Sequence, residues 1–95
     1  DQTTKVKGMF VHPEQVNQTA ARHVEIKKAR LVVDSSGGKD VMTLKCEVEE
    51  TPEGLDKSIS DSIQAVCKLR GEVEFVDVGS LPNDGKVIDD VRTYE

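Results

Sequence analysis

The chain has 95 residues, 36% of them hydrophobic, and a formal net charge of −5. That is room for one small domain with a single core. Its three aromatic residues (Phe10, Phe75 and Tyr94) and the lack of a long basic run exclude base stacking on single-stranded nucleic acid and phosphate-driven duplex binding.

The first segment, Lys5 to Val11, reads as extended structure broken at Gly8. A glycine inside a strand pattern marks a bend, a bulge or a close approach. Pro13 suits the first position of a helix, and Glu14 favours its positive end. Val16, Ala20, Ala21 and Val24 supply an apolar face, and the helix is predicted to end around Arg22-His23.

Lys28 to Asp34 alternates, with Ala29, Leu31 and Val33 on one face and Arg30, Val32 and Asp34 on the other. Ser35 to Asp40 is a turn by composition. Val41 to Glu49 alternates again: Met42, Leu44, Cys46 and Val48 inward, Thr43, Lys45, Glu47 and Glu49 outward. A hairpin is the simplest reading of the two. Leu55, Ile59, Ile63 and Val66 recur at helical spacing, with Ser58 and Ser62 outside and Gly71 as the stop. Glu72 to Val78 is a last strand with Val73 and Phe75 inward, and 79–95 is a polar tail outside the core.

The order is β-α-β-β-α-β. The expected fold is α+β, a small antiparallel-rich sheet with two helices on one face and a mobile C-terminal loop carrying a lysine. No apolar run reaches the ~18 residues a bilayer crossing needs, and no signal peptide is visible. A cytoplasmic protein, with neither membrane nor nucleic acid as partner, is expected. Asp1 in place of a starting Met points to a piece of something longer.

Few residues invite chemistry. His12 and His23 lack a second ligand at metal spacing and read as surface or capping residues, so no metal site is expected. Cys46 and Cys67 belong to no C-x-x-C motif and read as buried thiols. Most carboxylates alternate on solvated faces. Ser35-Ser36-Gly37-Gly38 lacks the lysine spacing of a phosphate loop and precedes a strand. Two segments stand apart: the run around Gly8, and Gly85-Lys86, a lysine on a glycine-hinged loop.

Together they resemble the C-terminal domain of the adenylate-forming enzymes. That superfamily's pattern Asp-x-x-x-Lys-x-x-Gly-x-x-Val-x-Pro-x-x-Val/Ile is matched in register by Asp1, Lys5, Gly8, Val11, Pro13 and Val16. Its closing Pro-x-x-x-Gly-Lys, or a near variant, is matched by Pro82-Asn83-Asp84-Gly85-Lys86. Gly8 to Val16, Lys68 to Glu74 and Gly79 to Pro82 look most like the phenylacetate–CoA ligase branch. Many relatives carry a basic residue and Thr or Ser where Asn83 and Asp84 stand, and Asp84 brings a negative charge near Lys86.

The resemblance covers essentially the whole chain and implies one C-terminal domain, 1–95: a hinge at 1–2, an N-terminal hairpin at 4–12, a core at 13–78 and a catalytic-lysine loop at 79–95. It implies part of an AMP-forming acid–thiol ligase acting in phenylacetate catabolism, and inactive when isolated. ATP, Mg2+ and coenzyme A would serve the full-length enzyme, with none bound to the isolated domain. A missing large N-terminal domain and an aryl or acyl carboxylic acid would be its partners. Lys86 would be the adenylation lysine, supported by Pro82 and Gly85. Asp1 would be the hinge. After rotation, Gly8, Lys5 and Lys7 would line the pantetheine channel. A lid without its partner exposes surface otherwise covered, which is compatible with dimerisation. The same element order fits an alternative, an ACT-like small-molecule-binding regulatory domain, which leaves Gly85-Lys86 without a role.

Overall fold

The computed structural model describes residues 2–93 and opens with a tight hairpin. β1 (Thr4–Val6) and β2 (Met9–Val11) pair antiparallel, Val6 opposite Met9. Lys7 and Gly8 form the two-residue turn at φ 49° and 82°. Positive φ at both central positions matches the twist of the strands, and glycine adopts it without strain. Val6 and Val11 are fully buried, so the hairpin is stapled to the core by one side chain from each strand.

α1 (Pro13–Ala21) starts at Pro13, and the Gln15 side chain accepts the His12 N–H at 2.8 Å, closing the helix entry. Val16 and Thr19 face the core. Val24 does not extend that face: the helix has ended before it, and it is 87% exposed.

β3 (Lys28–Ser36) and β4 (Lys39–Glu47) form a long antiparallel hairpin whose turn is only Gly37-Gly38, tighter than the predicted turn from Ser35 to Asp40. α2 (Leu55–Cys67) packs Leu55, Ile59, Ile63 and Cys67 onto the sheet. Burying each isoleucine contributes about 2 kcal/mol. Ser62 turns inward, where its hydroxyl meets His23 Nε2 at 2.8 Å. The helix stops at Cys67, capped by Lys68 at φ 62°, before Gly71. Gly71 serves packing instead: a Cβ there would lie 3.0 Å from Ile63 Cγ2.

β5 (Glu72–Val76) and β6 (Ile88–Asp90) complete a four-stranded sheet in the order β5-β4-β3-β6. The α+β class holds and the β-α-β-β-α-β order fits, with the opening strand folded into the separate β1–β2 hairpin and β6 added at the end, but the four-stranded sheet is mixed. β5 runs parallel to β4, and β6 parallel to β3. The crossover through α2 returns the chain in the same direction, which makes the β4–β5 pairing parallel. The tail is also not outside the core: Ile88 joins the core cluster and Leu81 is buried. The core therefore reaches beyond 13–78 at both ends.

Cys46 and Cys67 are free buried thiols. Burial pushes the Cys46 thiol up to about 12 and raises that of Cys67. No described helix is long and apolar enough to cross a membrane.

Candidate functional site

One face of β3 and β4 points at the helices, through Leu31, Val33, Met42, Leu44 and Cys46. Lys28, Arg30 and Glu47 lie on the other, with Lys28 directly opposite Glu47. The alternation sets Arg30 on the face opposite Leu31 and Val33, and Glu47 outward. They are 5% and 4% exposed, because segment 79–84 lies over them.

Each of the three holds that segment. Glu47 accepts the N–H groups of Gly79 at 3.0 Å and Leu81 at 2.9 Å. Those bonds, Gly79 first, keep its carboxyl below the usual range. Lys28 Nζ donates to the Leu81 carbonyl at 3.3 Å, the Pro82 carbonyl at 2.8 Å and Asn83 Oδ1 at 2.6 Å. Arg30 Nη2 donates to the Pro82 carbonyl at 3.1 Å and pairs with Asp84. Arg30 Nε is buried without a hydrogen-bond partner among the described residues.

The far side of the loop is held by Gln2. Its amide donates to the Gly85 carbonyl at 2.9 Å and accepts the N–H groups of Val87 at 2.5 Å and Ile88 at 3.1 Å. Gly85 turns the chain at φ 76°, a left-handed conformation that favours glycine. Asp84 accepts the Lys86 N–H at 3.0 Å, which with Arg30 lowers its carboxyl. Asp84 is thus occupied with backbone and guanidinium. The Lys86 ammonium instead faces Asp89 at 3.9 Å, and its side chain is 56% exposed. Beside it opens a cleft of about 490 Å³, lined in part by Asn17, Lys27, Lys28, Asn83 and Lys86.

The hairpin lies apart from this loop. Phe10 is 62% exposed, with Lys5 Nζ 5.5 Å from its ring centre. Lys5, Lys7 and Gly8 are exposed, and a Cβ at Gly8 would meet nothing within 4 Å. The structure thus brings Pro82, Gly85 and Lys86 together on one loop, and Lys5, Lys7 and Gly8 together on another. Asp1, expected to be the hinge, lies outside the described residues; its neighbour Gln2 grips the loop that carries Lys86. Among the described residues no group of three His, Cys, Asp or Glu side chains could hold a metal ion.

Sequence reasoning missed Arg30, Glu47 and Gln2. The signal available was the hairpin register, which sets two cations and an anion on one sheet face.

A pH dependence follows. Asp40, Glu47, Asp84 and Asp90 are all held below the usual carboxylate range by N–H or guanidinium donors. They bind protons less readily folded than unfolded. Their stabilisation is complete above about pH 5 and is lost as pH falls through the lowered folded values. The thermal midpoint should stay flat from about pH 7 to 5 and drop below about pH 4. An unchanged midpoint at pH 2 would contradict this account of the carboxylates.

A family model described as the AMP-binding enzyme C-terminal domain matches residues 8–92. No curated protein matches the chain. Among solved structures, a domain of phenylacetate-coenzyme A ligase from Bacteroides vulgatus ATCC 8482 is similar over 100% of this chain and 97% of its own, with TM-score 0.87 and 19% identity. 2-Hydroxyisobutyryl-CoA ligase, solved with 2-HIB-AMP and CoA in the thioesterification state, is similar over 97% of this chain, with TM-score 0.84 and 19% identity. This chain spans 22% of that ligase's length. A chain from structural and functional studies of fatty acyl-adenylate ligases from E. coli and L. pneumophila is similar over 90% of this chain and 16% of its own, with TM-score 0.68 and 15% identity. At these identities the likeness is one of fold.

Proposed function

The chain belongs to the family of AMP-binding enzyme C-terminal domains, and from that premise we propose that it is the mobile lid of an aryl-acid CoA ligase of the phenylacetate type. The family match displaces the ACT-like alternative. ATP, magnesium, coenzyme A and the aryl acid would be held chiefly by a large N-terminal domain preceding this chain. The assembled enzyme would be cytoplasmic. Alone, the chain would be inactive.

One observation carries this reading: Lys86 projects from a loop that is tied down on both sides. Gln2, Lys28, Arg30 and Glu47 hold its backbone, while the ammonium stays exposed. Such a residue is a deliverable point charge on a fixed base. In the first half-reaction a carboxylate oxygen attacks the α-phosphorus of ATP and pyrophosphate leaves. Two anions must approach, and Lys86 would leave Asp89 to bridge the carboxylate and the phosphate oxygens. A weak, half-exposed contact at 3.9 Å costs little to break.

In the second half-reaction the coenzyme A thiol attacks the acyl carbon and AMP leaves. The lid would rotate about Asp1 to present the hairpin. The open space over Gly8 would leave room for the pantetheine arm, and Lys5 and Lys7 would attract its phosphates.

The test is reconstitution. Joined to the large domain of a phenylacetate-type ligase, the chain should restore aryl-CoA and AMP production from aryl acid, ATP and coenzyme A. A joined protein no more active than the large domain alone would contradict the proposal.

A further inference from the structure

A hairpin with three residues in each strand is not stable alone. Val6 and Val11 anchor its strands, but something else must fix its turn. In a two-residue turn the N–H of the first central residue has no partner in the ladder. Here that group is the Lys7 N–H, and it donates to Asp40 Oδ2 at 2.7 Å.

Asp40 lies at the start of β4, beside the Gly37-Gly38 turn, and its other oxygen pairs with Arg92 Nη1 at 3.0 Å. Arg92 Nε and Nη2 reach the two Asp90 oxygens at 2.9 and 2.6 Å. Arg92 Nη2 also donates to Thr4 Oγ1 at 3.0 Å, and the Thr4 hydroxyl donates to Asp90 Oδ2 at 2.7 Å. The Arg92 side chain is 8% exposed, against 28% for Asp40 and 30% for Asp90. One nearly buried guanidinium therefore links β1, the hairpin turn, β4 and the end of β6. A planar fork reaches acceptors that lie apart and holds them in fixed directions, which the compact point charge of a lysine does not do.

We propose that Asp40 and Arg92 are positioning residues for thioester formation: they brace the Lys7–Gly8 turn so that the hairpin meets the incoming thiol arm in one geometry. The proposal rests on the hairpin's role given above. β6 follows the lysine loop, so the brace also fixes the hairpin relative to that loop. A displacement of about 1 Å in a reacting geometry costs on the order of 100-fold in rate, which is why a hydrogen bond outside the site can matter.

The experiment uses the joined enzyme and measures two rates: thioester formation from pre-made acyl-adenylate, and pyrophosphate release from acid and ATP. Asp40→Ala should slow thioester formation about tenfold or more and leave pyrophosphate release at the parent rate. Asp40→Asn, which keeps an oxygen for the Lys7 N–H, should recover part of the loss. Exchange of the Lys7 amide with solvent should speed up in Asp40→Ala.

Gly8→Leu is the reference, because it alters the turn itself. If Gly8→Leu slows thioester formation and Asp40→Ala does not, the brace is overturned and the hairpin's role stands. If Asp40→Ala lowers both rates alike, it supports the fold generally and the positioning role is overturned. If neither variant slows thioester formation, the hairpin's role fails and the proposal fails with it.

Discussion

Replacing Lys86 with alanine is expected to lower adenylation by about 10²- to 10³-fold, the effect of removing one preorganised charge-stabilising group. Thioester formation from pre-made acyl-adenylate should stay near the parent rate. The asymmetry follows from the chemistry. Only the first step brings a carboxylate against a polyphosphate, and only there does a cation offset repulsion between reactants. The backbone carrying Lys86 is held by Gln2, Lys28 and Arg30, so truncating the exposed side chain leaves the loop in place. Pyrophosphate release and thioester production, measured separately in the joined enzyme, check this. Parent-like rates in both steps would make Lys86 an ordinary surface lysine.

Arg30→Ala is expected to reach the same step by another route. The variant loses the donor to the Pro82 carbonyl and the partner of Asp84. It also leaves a void under the loop, since Arg30 is 5% exposed. Breaking a fully buried pair costs about 3–5 kcal/mol. Asp84 is 39% exposed and can be rehydrated, so about 2 kcal/mol is expected here. Chemical denaturation should show that loss. Adenylation should fall about tenfold, because Lys86 is then carried on a looser base. Thioester formation should change little. Unaltered stability together with unaltered adenylation would mean the seat under the loop does not position it.

Much of the fold was legible from local patterns. Leu55, Ile59 and Ile63 recur at helical spacing and all three are buried. Met42, Leu44, Cys46 and Val48 alternate and are buried as well. Lys86 stood out through the motif at the end of the chain. What failed was each inference that needed a distant segment. Alternation says that Arg30 and Glu47 share the face opposite the core. It does not say that residues 79–84 return to cover that face. Gly71 has the composition of a helix stop, whereas Lys68 ends the helix and Gly71 makes room for Ile63. The parallel pairings of β5 and β6 depend on where the chain re-enters the sheet, which no local window contains. The brace joining Lys7, Asp40 and Arg92 spans nearly the whole chain, and no spacing rule links its members.

On the proposed function, one small domain carries separate tools for two successive reactions. The most direct test sets Lys86→Ala beside Gly8→Leu in the same joined enzyme and measures both half-reactions for each. A crossed pattern is expected: Lys86→Ala loses pyrophosphate release and keeps thioester formation, and Gly8→Leu does the reverse. Two variants that impair the same half-reaction, or both equally, would contradict a lid that presents different faces in turn.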